Sequence, residues 1–330
     1  MKLAHLLPGL LVTAVGVAGS LVAHRLIGQI GVLTWVVILG AAAANLRLLP
    51  PVAKPGLRIA TKKLLRIGVV LLGFSLSLVS IAALGLPVIV LVVVTLFSTL
   101  IATTWVGLKM GLGRPRSLLI ATGFAICGAS AIAAMEENAE ANDDDVAVAI
   151  AMVTVCGTVA MIALPLLQGP LGLTDTEFGV WAGASVHEVG QVVAAASPAG
   201  ATAVTVAIVV KLTRVLLLVP VVAGVSVLRR RQIRRDGGQA TDATLPPILP
   251  LFVVGFLVCV VIASTGILPA PALSSILNLQ TIALSAALFG MGTGVHVASL
   301  WRSSGRAMLL AALSTAVVAV VALVGIYALL

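Results

Sequence analysis

Residues 183–193 read GASVHEVGQVV, which sets His187 and Glu188 side by side in an apolar run. Ionisable side chains in hydrocarbon are costly, and those present face a bundle interior or a water-filled cavity and mark ion pathways. Glu188 can take up or release a proton, and an unperturbed imidazole titrates near neutrality. The pair is therefore a candidate coupling element. Adjacent helical residues point about 100° apart, so the two need not touch, whereas Glu188 and Gln191, at i and i+3, share a face. A second reading stays open. Ser185 and Glu188 have the S-x-x-E spacing of a capping box, in which Glu188 would only hold together a helix restarting after Gly183.

The run VAIVVKLTRVLLLVP, 206–220, carries Lys211 and Arg214, again at i and i+3. Two buried cations on one face need a carboxylate or an anionic substrate. The sequence predicts that Glu188 pairs with Lys211 or Arg214 when the site is empty and that an anion competes for them; a permanent structural ion pair is the alternative. Two glycine-rich runs are candidate helix breaks. In SLLIATGFAICGASAIAAM, 117–135, a break near Cys127, Gly128 and Ser130 would leave Ser130 as N-cap of the outer half. Its free N–H groups and positive dipole end would form an anion site. In TIALSAALFGMGTGVHVASL, 281–300, Gly290, Gly292 and Gly294 fall within five residues. Small residues that merely let helices pack closely are the alternative in both runs.

These residues need a scaffold, and its medium follows from composition. The chain is 60% hydrophobic and 9% charged, with a mean hydropathy of +1.21. Soluble domains carry roughly a quarter charged residues. Many runs are long enough to cross a bilayer core of about 30 Å as helices, and the period-2 alternation of a β-barrel is absent. The expected fold is an all-α polytopic membrane protein forming a single transmembrane domain over 1–330. Eleven spans are predicted, at about 5–24, 27–45, 63–85, 87–108, 117–134, 146–167, 179–197, 201–228, 246–266, 275–298 and 306–329. One extra N-terminal helix then precedes two five-helix repeats, 27–167 and 179–330. An odd number of helices per repeat makes them inverted and pairs span five with span ten, as in inverted-repeat secondary transporters.

The net charge of +9 sits in a few loops: 46–66, 109–116, the basic loop 229–244 and 302–306. With the N-terminus inside, all four are cytoplasmic and the C-terminus is extracytoplasmic, as the positive-inside rule requires. Only Arg25 lies outside. Loop 168–178 falls inside although it carries Asp175, Glu177 and no base. The segment MEENAEANDDD, 135–145, holds six of the eleven acidic residues and falls outside, either as a solvated loop or as a cation-attracting mouth. Basic loops of this kind explain the charge without nucleic acid, since one tyrosine gives no aromatic platform for bases. Cys127, Cys156 and Cys259 lie in apolar runs with neither disulfide nor metal spacing, and no metal or cofactor is expected. His296 is expected at the cytoplasmic end of span ten, and His5 and His24 are given no role. No G-x-x-x-x-G-K-[ST] motif is present, which argues against an ATP-driven pump. Ser185 and His187 lie within one turn but lack a separate orienting acid, so hydrolase chemistry is not expected.

The motifs ICGASAIAA, GASVHEVGQVVAA and VVKLTRVLLLVP, in this order, with GVVLLGFSLSL at 68–78 and GMGTGVHVASL near the end, resemble the YeiH-type family of bacterial membrane proteins, which carries the label of sulfate exporter. The resemblance runs from about residue 30 to the end. It implies an inner-membrane protein related to cation/proton antiporters and anion transporters, with inverted repeats and broken helices. Glu136, Glu137 and Asn138 stand where that family continues with an apolar stretch. Together the residues and the resemblance predict a secondary transporter of a small anion, sulfate or a relative, coupled to protons or sodium. Substrate binding would use Cys127, Gly128, Ser130, Ser185, Gln191, Lys211, Arg214, Gly290, Gly292 and Gly294, and coupling His187 and Glu188. A cation/proton antiporter and a non-transporting membrane sensor or partner protein are the alternatives. Assembly as a homo-oligomer is left open.

Overall fold

The apolar runs fold as helices whose ends are set by proline, glycine and polar caps. The computed structural model describes residues 6–27, 32–235, 250–294 and 305–330. Expectations for His5, His296, Arg302 and residues 236–244 fall outside them. In chain order the helices are α1 (Leu7–Leu26), α2 (Val32–Asn45), α3 (Lys54–Ile59), α4 (Leu65–Leu72), α5 (Leu78–Ala82), α6 (Gly85–Lys109), α7 (Arg114–Ala125) and α8 (Ala129–Ala139). There follow α9 (Asp143–Gln168), α10 (Asp175–Ser185), α11 (Val189–Ala196), α12 (Ala201–Leu216), α13 (Leu218–Arg235), α14 (Leu251–Ser264), α15 (Ala270–Gly292) and α16 (Gly305–Leu329). A π-helical turn, Ala60–Leu64, joins α3 to α4. No strand occurs among the described residues. Six stretches are long and apolar enough to cross a membrane, namely α1, α6, α9, α12 with α13, α15 and α16, and shorter apolar helices accompany them. The protein is an all-helical polytopic membrane protein. Large exposed side chains such as Leu86, Val94, Ile101 and Trp105 on α6 are the surface that lipid covers.

Ion pairs fix which helix ends share a face. Arg58, Arg66 and Arg229 reach Asp143, Glu137 and Glu140, and Arg116 reaches both Asp144 and Asp145 at 2.8 Å. The acidic partners all lie at the α8–α9 elbow. The elbow therefore sits on the same face as the basic loops, which corrects the expectation that 135–145 lies on the other side. The physical reason is that span five does not cross. α7 stops at Ala125, the chain reverses through Gly128 at φ +79°, and α8 runs back along α7 with Ile132 against Gly123. A run of this length satisfies a hydropathy window whether it crosses or turns back.

Span seven is interrupted in the same manner from the opposite face. α10 opens with a capping box in which Thr174 and Glu177 bind each other's backbone, and the Thr174 hydroxyl and N–H hold the Glu177 carboxyl below its ordinary range. α10 ends at Ser185, residues 186–188 are extended or turning, and α11 leads back through a 3₁₀ turn to Gly200 at φ +98°. Gly179 packs on Ala203 and Gly183 on Ala207, so α10 and α12 run parallel. Two consecutive parallel helices require a return between them, and α11 supplies it. Loop 168–178 accordingly lies away from the basic loops, with the Leu171 carbonyl bound by Tyr327 near the end of α16. The expectation that this acidic loop shares the basic face is corrected. Each hairpin replaces one crossing, so the remaining helix ends keep their sides. Gly9 of α1 packs on Gly56 at the basic face, and α16 ends at the other.

Spans five and seven are both interrupted, and in span ten the helix ends at Gly292, inside the expected glycine run, with residues 295–304 outside the described ones. α15 is continuous through Gly290 to Gly292. Its glycines serve close packing: a Cβ on Gly292 would lie 2.6 Å from the Val37 carbonyl oxygen, and Gly290 abuts Thr61. The sidedness has a direct readout. In a background lacking the native cysteines, Ala141→Cys and Arg231→Cys are expected to react with an impermeant maleimide from one side of the membrane, and Thr176→Cys from the other. Labelling of Ala141→Cys from the side opposite to Arg231→Cys, or of Thr176→Cys from the same side as Arg231→Cys, would refute the hairpins.

Candidate functional site

The two hairpins enter from opposite faces and meet tip to tip. The Phe124 ring lies 4.4 Å from the His187 imidazole, centroid to centroid. A Cβ on Gly128 would sit 2.7 Å from Glu188 Cγ, so the tips approach as closely as glycine permits. Ser185, His187, Glu188, Gln191, Lys211 and Arg214 are all buried here, with Lys211 and Arg214 fully so.

Breaking a helix leaves its last carbonyls without intrahelical donors. α7 and α10 both end at the centre, which concentrates unpaired carbonyl oxygens and two negative dipole ends there. Arg214 of α12 answers both. Its guanidinium donates to Phe124 O at 2.7 Å, to Ala125 O at 2.9 and 2.5 Å, and to Ala184 O at 2.5 Å. Lys211, one turn earlier, donates to Val186 O at 2.5 Å. The hydrogen-bond partners of these two cations are therefore carbonyls at helix ends, which offset their charge only in part. The expected ion pair of Glu188 with Lys211 or Arg214 does not form, since neither pair lies within 4.0 Å. The carbonyls outcompeted the carboxylate because they are fixed at the reach of α12, while Glu188 is drawn elsewhere.

Glu188 stands at the N-cap position of α11 but does not cap it. Its side chain crosses to the other hairpin, where the Ala129 N–H at the start of α8 acts on it. Its Oε2 has no hydrogen-bond partner among the described residues. The Ser185–Glu188 capping box is therefore not made: Ser185 is the last residue of α10, and its Oγ is likewise unpartnered. Nor is Ser130 the cap of α8, because the chain enters that helix through Gly128 and Ser130 lies in its first turn, beside Cys127. Gln191 faces α9, with its Nε2 3.4 Å from Thr154 O and 3.5 Å from Thr158 Oγ1, while its Oε1 is unpartnered. His187 Nε2 lies 3.2 Å from Thr315 Oγ1 and makes no hydrogen bond with Ser185.

The structure thus brings together Cys127, Gly128, Ser130, Ser185, His187, Glu188, Gln191, Lys211 and Arg214. It leaves Gly290, Gly292 and Gly294 elsewhere, on the basic side of α15, where Gly290 and Gly294 border a separate cavity. Residue-type reasoning missed the carbonyls of Phe124, Ala125, Ala184 and Val186, and the hydroxyls of Thr154, Thr158 and Thr315. The carbonyls carry no side-chain signature; the one available signal was the helix break itself, which implies orphaned acceptors for the two cations. No group of three or more metal-ligating side chains occurs among the described residues.

Comparison with known proteins gives one consistent answer. A sequence model of the family described as "Conserved hypothetical protein 698" matches residues 7–311. A UPF0324 membrane protein of Corynebacterium glutamicum is 39% identical over 96% of this chain and 91% of its own length. Another from Agrobacterium fabrum is 35% identical over 94% and 90%, and one from Bacillus cereus 33% over 95% and 88%. No solved structure matches.

Proposed function

The chain belongs to the family described as conserved hypothetical protein 698, and on that premise we propose that it is a secondary transporter of a small anion. The observation that carries this reading is the meeting of two oppositely oriented re-entrant hairpins at a buried polar centre. Membrane transporters build substrate sites from such interrupted helices, whose N-termini face the anion. α11 begins at this centre with no side chain capping its free N–H groups. Two buried polar atoms flank that start without partners, Ser185 Oγ at the last residue of α10 and Gln191 Oε1 in the first turn of α11. The formal charges of the centre, two cations against the single acid Glu188, favour an anion. By the positive-inside rule the basic face is cytoplasmic in the bacterial plasma membrane, with the N-terminus inside and the C-terminus outside. Export of sulfate or a related anion, coupled to protons or sodium, is the specific form of the proposal.

Glu188 is the coupling residue in this scheme. Its carboxyl bridges the tips by facing the N-terminus of α8, so a change in its charge changes how strongly the hairpins hold together. A cation/proton antiporter is the less favoured reading, because the acidic segment 135–145 that would serve as its mouth is engaged with arginines on the basic face. Gradient-driven uptake of labelled sulfate into proteoliposomes tests the proposal. Saturable flux is expected, abolished in Lys211→Ala and stripped of its pH dependence in Glu188→Gln. Proton movement on adding sodium, with no sulfate flux, would favour the antiporter instead. An unchanged pH profile in Glu188→Gln would remove the coupling role.

A further inference from the structure

A cavity of about 670 Å³ opens on the basic face beside the first hairpin. It is bounded by Ala133, Glu136 and Glu137 on α8 and by Ile150 on α9. Ala133 lies one turn, about 6 Å, from the helix start at Ala129. The cavity therefore reaches from the surface along the returning arm of the hairpin toward its tip.

Its wall is mostly aliphatic, with Leu57, Leu65, Val69 and Met291 among the lining residues, and it has one aromatic surface, Phe252, with the Arg66 guanidinium 5.7 Å from the ring centroid. Four cations, Arg47, Lys54, Arg58 and Arg66, and three acids, Glu136, Glu137 and Asp143, line it. Arg58 and Arg66 are engaged with Asp143 and Glu137. Arg47 and Lys54 have no ion pair among the described residues. Arg47 also occupies a left-handed conformation, φ +56°, just past the end of α2, a position where glycine is the unstrained residue. The arginine brings a guanidinium to the cavity at that cost.

A bare oxyanion does not match this lining. A strongly hydrated dianion needs a full shell of donors, whereas here the donors are confined to a few side chains, Glu136, Glu137 and Asp143 stand among them, and the aliphatic wall offers none. The volume falls in the range of pockets that enclose an organic molecule, with apolar walls and a few polar groups fixing its orientation. We propose that this cavity receives the transported substrate from the basic face and that the substrate is an organic monoanion, a carboxylate or sulfonate on an apolar body. The charged group is held by Arg47 and Lys54, and the body lies along Leu57, Val69 and Phe252. This inference rests on the transport reading, keeps its small anion and puts an organic monoanion in the place of sulfate.

The test uses the full chain in phosphatidylcholine nanodiscs with radiolabelled benzenesulfonate as probe. Saturable binding is expected, with inorganic sulfate displacing it only at about tenfold higher concentration or more, the gain from burying one aromatic ring. Arg47→Gln/Lys54→Gln is expected to weaken binding about tenfold or more, while Arg25→Gln, on the other face, leaves it unchanged. A monodisperse elution profile shows that the double variant is folded. Absence of saturable binding, equal displacement by sulfate, or indifference to the double variant each overturns the proposal. So does loss of binding when phosphatidylglycerol is added to the nanodiscs, which would assign the cavity to a lipid headgroup. Parallel flux measurements separate this inference from its premise. Sulfate flux without benzenesulfonate binding keeps transport and rejects the organic substrate; benzenesulfonate binding without flux of either anion rejects transport and leaves the cavity as an anion site.

Discussion

Arg214→Leu is expected to release both hairpin tips at once. The guanidinium makes four hydrogen bonds to the carbonyls of Phe124, Ala125 and Ala184, on two different hairpins, from a position with no solvent exposure. Leucine fills similar space but leaves those carbonyls at two helix C-termini without donors. Each buried acceptor left without a donor costs roughly 1–3 kcal/mol, so losing the donors of three carbonyls costs at least about 3 kcal/mol. At 1.4 kcal/mol per factor of ten, that corresponds to about a hundredfold or more faster local opening. Hydrogen exchange in detergent or nanodiscs reads it at the amides of 124–128 and 184–188, with the first turns of α6 and α16 as internal references. Arg214→Lys keeps the charge, but a single ammonium cannot span three carbonyls as the planar fork does. It is expected to fall between wild type and Arg214→Leu. Wild-type exchange in Arg214→Leu would show that the tips are held by packing alone. On the proposed function, a transporter whose hairpins move must release some of these bonds, and the ones Arg214 makes across both hairpins are the strongest candidates.

The outcome also explains what the sequence could and could not say about this centre. Lys211, Arg214, His187 and Glu188 were legible because each is an ionisable residue in hydrocarbon, which demands a partner. Which partner was not legible. Residue types suggested a carboxylate for the cations, yet the acceptors are backbone oxygens exposed by two helix breaks. Any residue has a carbonyl, so the pattern of side chains cannot reveal it. The helical membrane fold followed directly from composition. The hairpins did not, because 117–134 has the length and hydropathy of a crossing, whereas in the structure the reversal at Gly128 and the ion pairs of Arg116 with Asp144 and Asp145 put its two ends on one face. One warning was present in the chain: an acidic loop, 168–178, falling among basic ones. Turning spans five and seven into hairpins moves that loop to the opposite face and brings the acidic elbow to its arginines, so one change accounts for both charge anomalies. The glycines at 290, 292 and 294 show the converse limit. α15 ends among them, at Gly292, yet the close approach of α2 and α3 to α15 uses Gly290 and Gly292 as well, so glycine density alone does not separate a break from packing.

Gly128→Ala is expected to be damaging out of proportion to one added methyl group, and two separate terms make it so. Gly128 adopts φ +79° and ψ −132°, a region that glycine enters freely and that costs an L-residue about 1–3 kcal/mol. The added Cβ would also lie 2.7 Å from Glu188 Cγ and 3.1 Å from Val153 Cγ1, so the hairpins must separate or Glu188 must leave its place at the α8 N-terminus. Flux is expected to fall at least about tenfold, with lower thermal stability. Gly190→Ala is the matched control. It lies on the other hairpin, within α11, and its Cβ would meet nothing within 4 Å. Alanine there gains up to about 1 kcal/mol of helix propensity, so its stability should hold or rise. The double variant Gly128→Ala/Glu188→Ala separates the two terms. It removes the overlap with Glu188 but keeps the backbone strain, so it should recover part of the lost stability and none of the pH-dependent flux. Full recovery would mean that the clash alone matters and that the turn tolerates alanine. No recovery would place the whole cost in the backbone, and the tips would then be fixed by the turn at Gly128 rather than by the meeting of the two hairpins.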